Sequence, residues 1–293
     1  MPAGRPALPK LLIGPPNDAQ LDELLTAPAE WPLAAAAIDA FMHPDHTLVS
    51  VPDETLRRRF AAMRARGFGF ELEVGAVKEW SREGRRTFEI EAPWWRRMID
   101  LGAPLLSIGI DEPWGAGRAL EIADAEIVEH TANFIALVHQ HFPTLLVGDV
   151  EPYPALPMAD HLQWLRSLVA ALARRGTRPL DFYRVDPNWN AFDHYGGSWA
   201  EVATLQHVCR TAGPAFSVIY WAASLPQQLG AGTATRDSWS LGVLGQAAES
   251  CAAGVEPDQL VVQSWVGKPD AALPESDPTT FAGSVLGVLR ALG

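Results

Sequence analysis

Lysine is scarce. In 293 residues it occurs only at Lys10, Lys78 and Lys268, and 23 basic residues face 35 acidic ones for a formal charge of -12. No Lys/Arg cluster interrupts this acidic balance, so the chain lacks the footprint that neutralises phosphates, and neither nucleic acid nor an anionic membrane is an expected partner. Cysteine is rarer still. Cys209 and Cys251 stand far apart with no second Cys or His at zinc-finger spacing, so neither a disulfide framework nor a structural zinc site is expected. No apolar run approaches the ~20 residues that cross a bilayer, and the first residues lack the charged start, apolar core and cleavage site of a secretory leader. A soluble chain is expected, in the cytoplasm or exported. There is no Gly-x-Gly-x-x-Gly loop for a dinucleotide and no Gly-x-Ser-x-Gly elbow for a serine hydrolase. No cofactor and no metal are expected.

Apolar residues make up 48% and charged residues 20%, as in an ordinary globular domain, but tryptophan is abundant at 11 copies. Short apolar runs bounded by Gly, Pro or Asp recur at residues 11–14, 36–41, 69–74, 105–110, 145–150, 180–185, 216–221 and 260–265. A few tens of residues separate their starts, room for a strand, a loop and a crossover helix, as a parallel sheet requires. The helices show in between. Leu56, Phe60 and Met63 share a face after Pro52 and before Gly67; Ile127, Thr131, Phe134 and Val138 form a stripe before Pro143; residues 161–175 end at Gly176. The last helix, 281–292, follows a turn-like Glu275-Ser276-Asp277-Pro278. Eight strand-helix units without a linker predict a single (β/α)8 TIM barrel over residues 1–293.

Chemistry in such a barrel sits at the carboxyl ends of the strands. The second run meets Asp39, and the third contains Glu71 and Glu73 on one face. The fourth ends in Asp111-Glu112-Pro113-Trp114, and the fifth holds Asp149 and Glu151 before Pro152-Tyr153-Pro154. The sixth gives Arg184-Val185-Asp186-Pro187-Asn188-Trp189, the seventh Tyr220-Trp221 and the eighth Gln263-Ser264-Trp265. Acids gathered at one mouth repel one another and separate into the neutral and ionised carboxyls that acid/base work needs. A single acid at a strand end can equally cap a helix, the competing reading for Asp39 and Asp149. Glu71 and Glu73 cannot both be buried unpaired, so one is expected to meet Arg184 or a water.

The Asp111-Glu112-Pro113 run resembles the Asn-Glu-Pro signature of retaining glycoside hydrolases with the same barrel. The resemblance implies that Glu112 is the proton donor. Asp111 stands where the signature has asparagine, and the seventh run lacks the glutamate that serves as nucleophile. The second carboxylate is therefore expected on the fifth or sixth strand, Glu151 first and Asp186 next, with Asp111 as a further candidate. The runs Glu151-Pro152-Tyr153-Pro154, Gln263-Ser264-Trp265 and Leu273-Pro274-Glu275 also resemble a group of barrel proteins known mainly from sequence.

Sugars present apolar C–H faces to aromatic rings and hydroxyls to polar edges. Trp114, Tyr153, Trp189, Tyr220, Trp221 and Trp265 are the expected platforms, with Asp39, Glu73, Arg184 and Gln263 as polar contacts. Packing is the competing reading for at least two of these rings, and the preferred one for Trp94, Trp95, Trp164, Trp199 and Trp239. The acidic mouth favours a neutral or cationic carbohydrate. Two readings compete. In the first, a divalent-metal enzyme, Glu73, Asp111 or Glu112, and Glu151 would bind Mg²⁺, without paired lysine bases or a His at the relevant strand ends. The second is an inactive carbohydrate-binding barrel, suggested by the missing seventh-strand glutamate. A Schiff-base aldolase is disfavoured because no lysine falls in a predicted strand. Loops at 77–92, 187–198 and 222–238 decide whether the mouth is a pocket or a cleft.

Overall fold

The computed structural model describes residues 7–8, 10–78, 80–189, 192–222 and 235–293. Its eight strands are β1 (Leu11–Gly14), β2 (Ala40–Pro44), β3 (Gly69–Val74), β4 (Leu105–Asp111), β5 (Leu146–Tyr153), β6 (Phe182–Pro187), β7 (Ala215–Tyr220) and β8 (Gln259–Gln263). They pair in chain order, all parallel, and the sheet closes where β1 runs beside β8 from Leu11↔Leu260 to Gly14↔Gln263. The predicted (β/α)8 barrel is the fold.

Eleven α-helices are described: α1 (Asp18–Thr26), α2 (Pro32–Ala37), α3 (Asp45–Leu48), α4 (Asp53–Ala65), α5 (Gly84–Asp100), α6 (Pro113–Ala119), α7 (Asp124–His141), α8 (Met158–Arg174), α9 (Trp199–Ala212), α10 (Arg236–Ala252) and α11 (Phe281–Leu292). Caps fix several of their starts. Thr235 and Ser238 form a reciprocal capping box on α10, and Thr280 accepts the Gly283 N–H at the start of α11. Among the described residues no helix is long and apolar enough to cross a membrane. Most of the predicted loop at 222–238 lies outside the described residues, as do Glu79 in the 77–92 loop and Asn190 and Ala191 in the 187–198 loop.

Alternation along each strand sends one set of side chains out to the helices and the other into the barrel. The outward set builds the main apolar core with the helices. Inside lies a smaller apolar cluster of Leu12, Ala40, Met42, Val150, Ile219, Trp221 and Val261. With it lies a polar plug around Arg184. Its guanidinium, fully buried, donates to Glu71 Oε1 at 2.6 Å, Gln259 Oε1 at 2.6 Å and Ser217 Oγ at 3.0 Å, while Ser107 Oγ donates to Glu71 Oε2 at 2.6 Å. A buried charge pair persists when its hydrogen bonds are satisfied in this way. Gly109 makes the room: a Cβ there would sit 3.3 Å from Arg184 Nη1.

One strand differs from expectation. Residues 36–37 are the end of α2, whose alanine run favours helix, so β2 starts at Ala40 and not at residue 36. Asp39 therefore lies at the amino end of β2, where its carboxylate accepts the N–H groups of Lys10 at 2.6 Å and Leu11 at 3.0 Å. The expected substrate contact is a scaffold residue at the opposite end of the barrel from the mouth.

Candidate active site

The carboxyl ends of β3 to β8 surround a cavity of about 260 Å³ lined by Glu73, Asp111, Glu112, Asp186, Asn188, Trp221 and Trp265 over an apolar floor of Val150, Pro152 and Ile219. Glu112 is the residue between β4 and α6 and has left-handed backbone angles, φ 47° and ψ 45°. A non-glycine residue held there costs on the order of 1–3 kcal/mol, and neighbouring structure must hold it. It does: the Glu112 N–H donates to Val150 O at 2.8 Å, its carbonyl accepts the Ala116 N–H at 2.8 Å, and Pro113 opens α6 with a preset φ. Among the described residues no group donates a hydrogen bond to the Glu112 carboxyl.

Three of the acids at this mouth have raised pKa values. Burial, then the charge of Asp111, pushes Glu73 up to about 8, with Arg184 opposing from below. Burial and then Glu112 push Asp186 up to about 8, against a hydrogen bond from Trp221 Nε1 to Asp186 Oδ1 at 2.5 Å. Glu112 is raised by burial and by Asp111, with Lys78 pulling the other way. Asp111 has a cation of its own, because Lys78 Nζ donates to its Oδ2 at 2.6 Å. Trp221 and Trp265 stand with ring centroids 4.3 Å apart, tilted by 43°.

Two further cavities of about 500 Å³ adjoin the first and share Glu73 with it. One runs toward β1 and β2 past Asp18, His43, His46, Gln263 and Trp265; the other, beside β3, is lined by Asp45, His46, Gly75, Lys78, Trp80 and Asp111. His43 Nε2 lies 3.1 Å from Asp18 Oδ1 and its Nδ1 lies 2.8 Å from Thr47 Oγ1. That hydrogen bond, with help from Arg59, holds the Asp18 carboxyl down at about 2.

Of the expected site residues, Asp111, Glu112, Asp186, Glu73, Trp221 and Trp265 meet at the central cavity, and Gln263 lines the neighbouring one. The others are elsewhere. Val150 and Pro152 face inward, so Asp149, Glu151 and Tyr153 point out toward the helices. Glu151 is fully buried, and its two oxygens accept the N–H groups of Trp114 at 2.6 Å and Gly115 at 3.1 Å, the open amino end of α6. It supports the turn that carries Glu112 and does not reach the cavity. Asp149 accepts from Trp164 Nε1 at 2.7 Å. Tyr153 donates to Glu201 Oε2 at 2.6 Å and accepts the Ser198 N–H at 2.8 Å, fastening the start of α9. Tyr220, outward between Ile219 and Trp221, hydrogen-bonds with Ser250 Oγ. Trp114 turns back into the helix layer and stacks on Trp164 at 4.9 Å under Arg118, while Trp189 packs against Phe192 and Trp199. Arg184 lies under the floor, bound to Glu71. These four rings and this arginine are structural, and so is Glu151.

The proposed Mg²⁺ trio loses Glu151 by the same geometry, and among the described residues no three His, Cys, Asp or Glu side chains are grouped to hold a metal ion. Histidine does stand near the mouth on another strand: His43 is the last residue but one of β2, and His46 follows it. The shifted register of β2 hid both. Three more contributors were missed. Asn188 lies two residues beyond Asp186 and shares its side by period two, a signal present in the sequence. Lys78 and Trp80 reach the mouth from the loop after β3, where strand counting does not look.

No family model and no curated protein matches the chain. Solved structures do. A thermostable mutant of a xylanase from Cellvibrio japonicus superposes with TM-score 0.59 at 11% identity over 98% of both chains. A mutant of xylanase A from P. fluorescens subsp. cellulosa, in complex with xylopentaose, gives 0.56 at 13% over 98% of both. A D-psicose 3-epimerase in the presence of D-fructose gives 0.52 at 11% over 97% of both. Identities this low carry the fold and not the reaction: the chain shares the (β/α)8 barrel of these enzymes.

Proposed function

We propose that this barrel is a glycoside hydrolase acting on a neutral or cationic saccharide through two carboxyl groups, Glu112 as proton donor and Asp186 as its partner. The observation that carries the reading is Glu112 itself. A partly buried acid, kept in a costly backbone conformation and without a hydrogen-bond donor among the described residues, shares one cavity with Asp186 and the Trp221–Trp265 pair. Strain concentrated at an acid in a cleft supports a functional role.

The proton arrangement follows from the coupling between the two acids. The like charge of Glu112 is the largest contribution after burial to the raised pKa of Asp186. A proton on Glu112 removes that repulsion, and the Trp221 N–H then favours the carboxylate of Asp186. The proposed reaction needs the proton of the pair on Glu112 and the charge on Asp186, so the Trp221 hydrogen bond has to outweigh the burial that favours a neutral Asp186. Glu112 delivers its proton to the glycosidic oxygen as the bond breaks, and ionised Asp186 stabilises the oxocarbenium-like centre. Glu73, neutral below about 8, donates to a sugar hydroxyl. The indoles of Trp221 and Trp265 cover an apolar sugar face.

The test is release of reducing ends from a panel of neutral oligosaccharides. Wild type should cleave at least one, Glu112→Gln should lose about 10²–10⁴ in kcat, Asp186→Asn should also be impaired, and a chelator should change nothing. Wild type that binds sugars without cleaving them, or Glu112→Gln with an unchanged rate, would overturn the proposal.

A further inference from the structure

Of the 11 tryptophans, Trp80 and Trp265 are the two left exposed, at 54% and 45%, and both stand at the mouth. Trp265 lines the central cavity and the one toward β1 and β2, Trp80 lines the one beside β3, and Glu73 borders all three. Among the described residues the other exposed large apolar side chains, Leu33, Ile99, Tyr195 and Leu241, line none of these cavities. Water-exposed indoles placed only around one acid are surface that a ligand covers.

The polar lining describes that ligand. Asn188 Oδ1 in the central cavity and Oε1 of Gln263, a residue 4% exposed, are buried with no donor among the described residues. Glu73, Glu112 and Asp186 add carboxyl oxygens that accept, with Glu73 and Glu112 also donating when protonated, whereas Lys78 Nζ and the Trp221 N–H are already committed to Asp111 and Asp186. A buried acceptor without a donor costs about 1–3 kcal/mol, so the ligand has to bring donors. Hydroxyl groups do so; a uronate or sugar phosphate would bring more acceptors and more negative charge.

We infer that the three cavities form one open cleft for a chain of uncharged sugars that crosses Glu73, with Trp265 and Trp80 stacking on units to either side. This rests on the carbohydrate reading above and extends it, since the mouth then takes an oligosaccharide and not a single sugar.

The experiment is calorimetric binding to Glu112→Gln, with the β-1,4 oligomers of glucose, xylose and mannose from monomer to hexamer as probes. For the series that binds, affinity should rise with length. Trp80→Ala should cost the hexamer about tenfold in Kd and flatten that rise, and Trp80→Phe should keep most of it. Affinity that does not grow beyond the monomer, or a hexamer Kd unmoved by Trp80→Ala, overturns the cleft even where wild type cleaves sugars. A length-dependent gain lost in Trp80→Ala, with a wild type that cleaves nothing, leaves the cleft standing and removes the hydrolase. No binding of any oligomer removes both.

Discussion

Replacing Arg184 by Met tests how the floor supports the mouth. The variant leaves Glu71, fully buried, with Ser107 as its remaining donor among the described residues, and removes the hydrogen bond that Arg184 gives to the Gln259 oxygen. Removing one partner of a buried pair costs about 3–5 kcal/mol, because the other charge stays behind without compensation. A chain of 293 residues has an unfolding entropy of about 0.6 kcal/mol per kelvin near its midpoint, so Tm should fall by about 5–8 °C. The double variant Arg184→Met with Glu71→Leu removes both charges and should recover most of the loss. The positive charge of Arg184 also opposes the raised pKa values of Glu73 and Asp186, so both should titrate higher in the single variant. Thermal and urea unfolding followed by circular dichroism measure the first effect. A single variant within about 1 kcal/mol of wild type, or a double variant no more stable than the single, would refute the reasoning.

Three other outcomes follow from the same geometry. Burial raises Asp149 to about 8, so the folded chain keeps a proton that the unfolded chain gives up, and this contribution to stability is lost as pH rises from about 4 to about 8; Asp149→Asn should show a shallower fall in Tm between about pH 5 and about pH 9, and parallel curves would contradict this. Trp221→Phe takes the N–H from ionised Asp186, which should move the acidic limb of the kcat/KM profile up by about one pH unit, whereas an unmoved limb would remove Asp186 from the reaction. Trp114→Leu should lower stability by a few kcal/mol, at most about 3–5, and leave KM for oligosaccharides unchanged, while a raised KM would restore it as a platform.

The barrel was legible because its signals are local and repeated. Seven of the eight apolar runs overlap strands in the observed register, since a strand buried on both faces reads as a short apolar run. The exception, residues 36–41, joined an alanine-rich helix end to a strand start, and apolarity alone cannot divide the two. Glu112 was legible because the turn carrying it is short and ends in proline. Glu151 was not: both acids of β5 are on the outward side, a fact visible only once Val150 and Pro152 are known to face in. Tyr153, Tyr220 and Trp189 failed as platforms for a related reason, since aromatic rings near a strand end pack on helices as readily as they face a ligand. Lys78 and Trp80 depend on the path of a loop, which no periodicity encodes.

The central claim, that Glu112 protonates a glycosidic oxygen opposite Asp186, is tested most directly by a crystal structure of Glu112→Gln with an uncleaved neutral oligosaccharide. The sugar chain should lie on Trp265, with the carboxamide of residue 112 within about 2.6–3.2 Å of the glycosidic oxygen and the Asp186 carboxylate beside the anomeric carbon. A scissile oxygen nearest to Glu73 or Asp111, or a sugar bound away from the β4 and β6 strand ends, would contradict it.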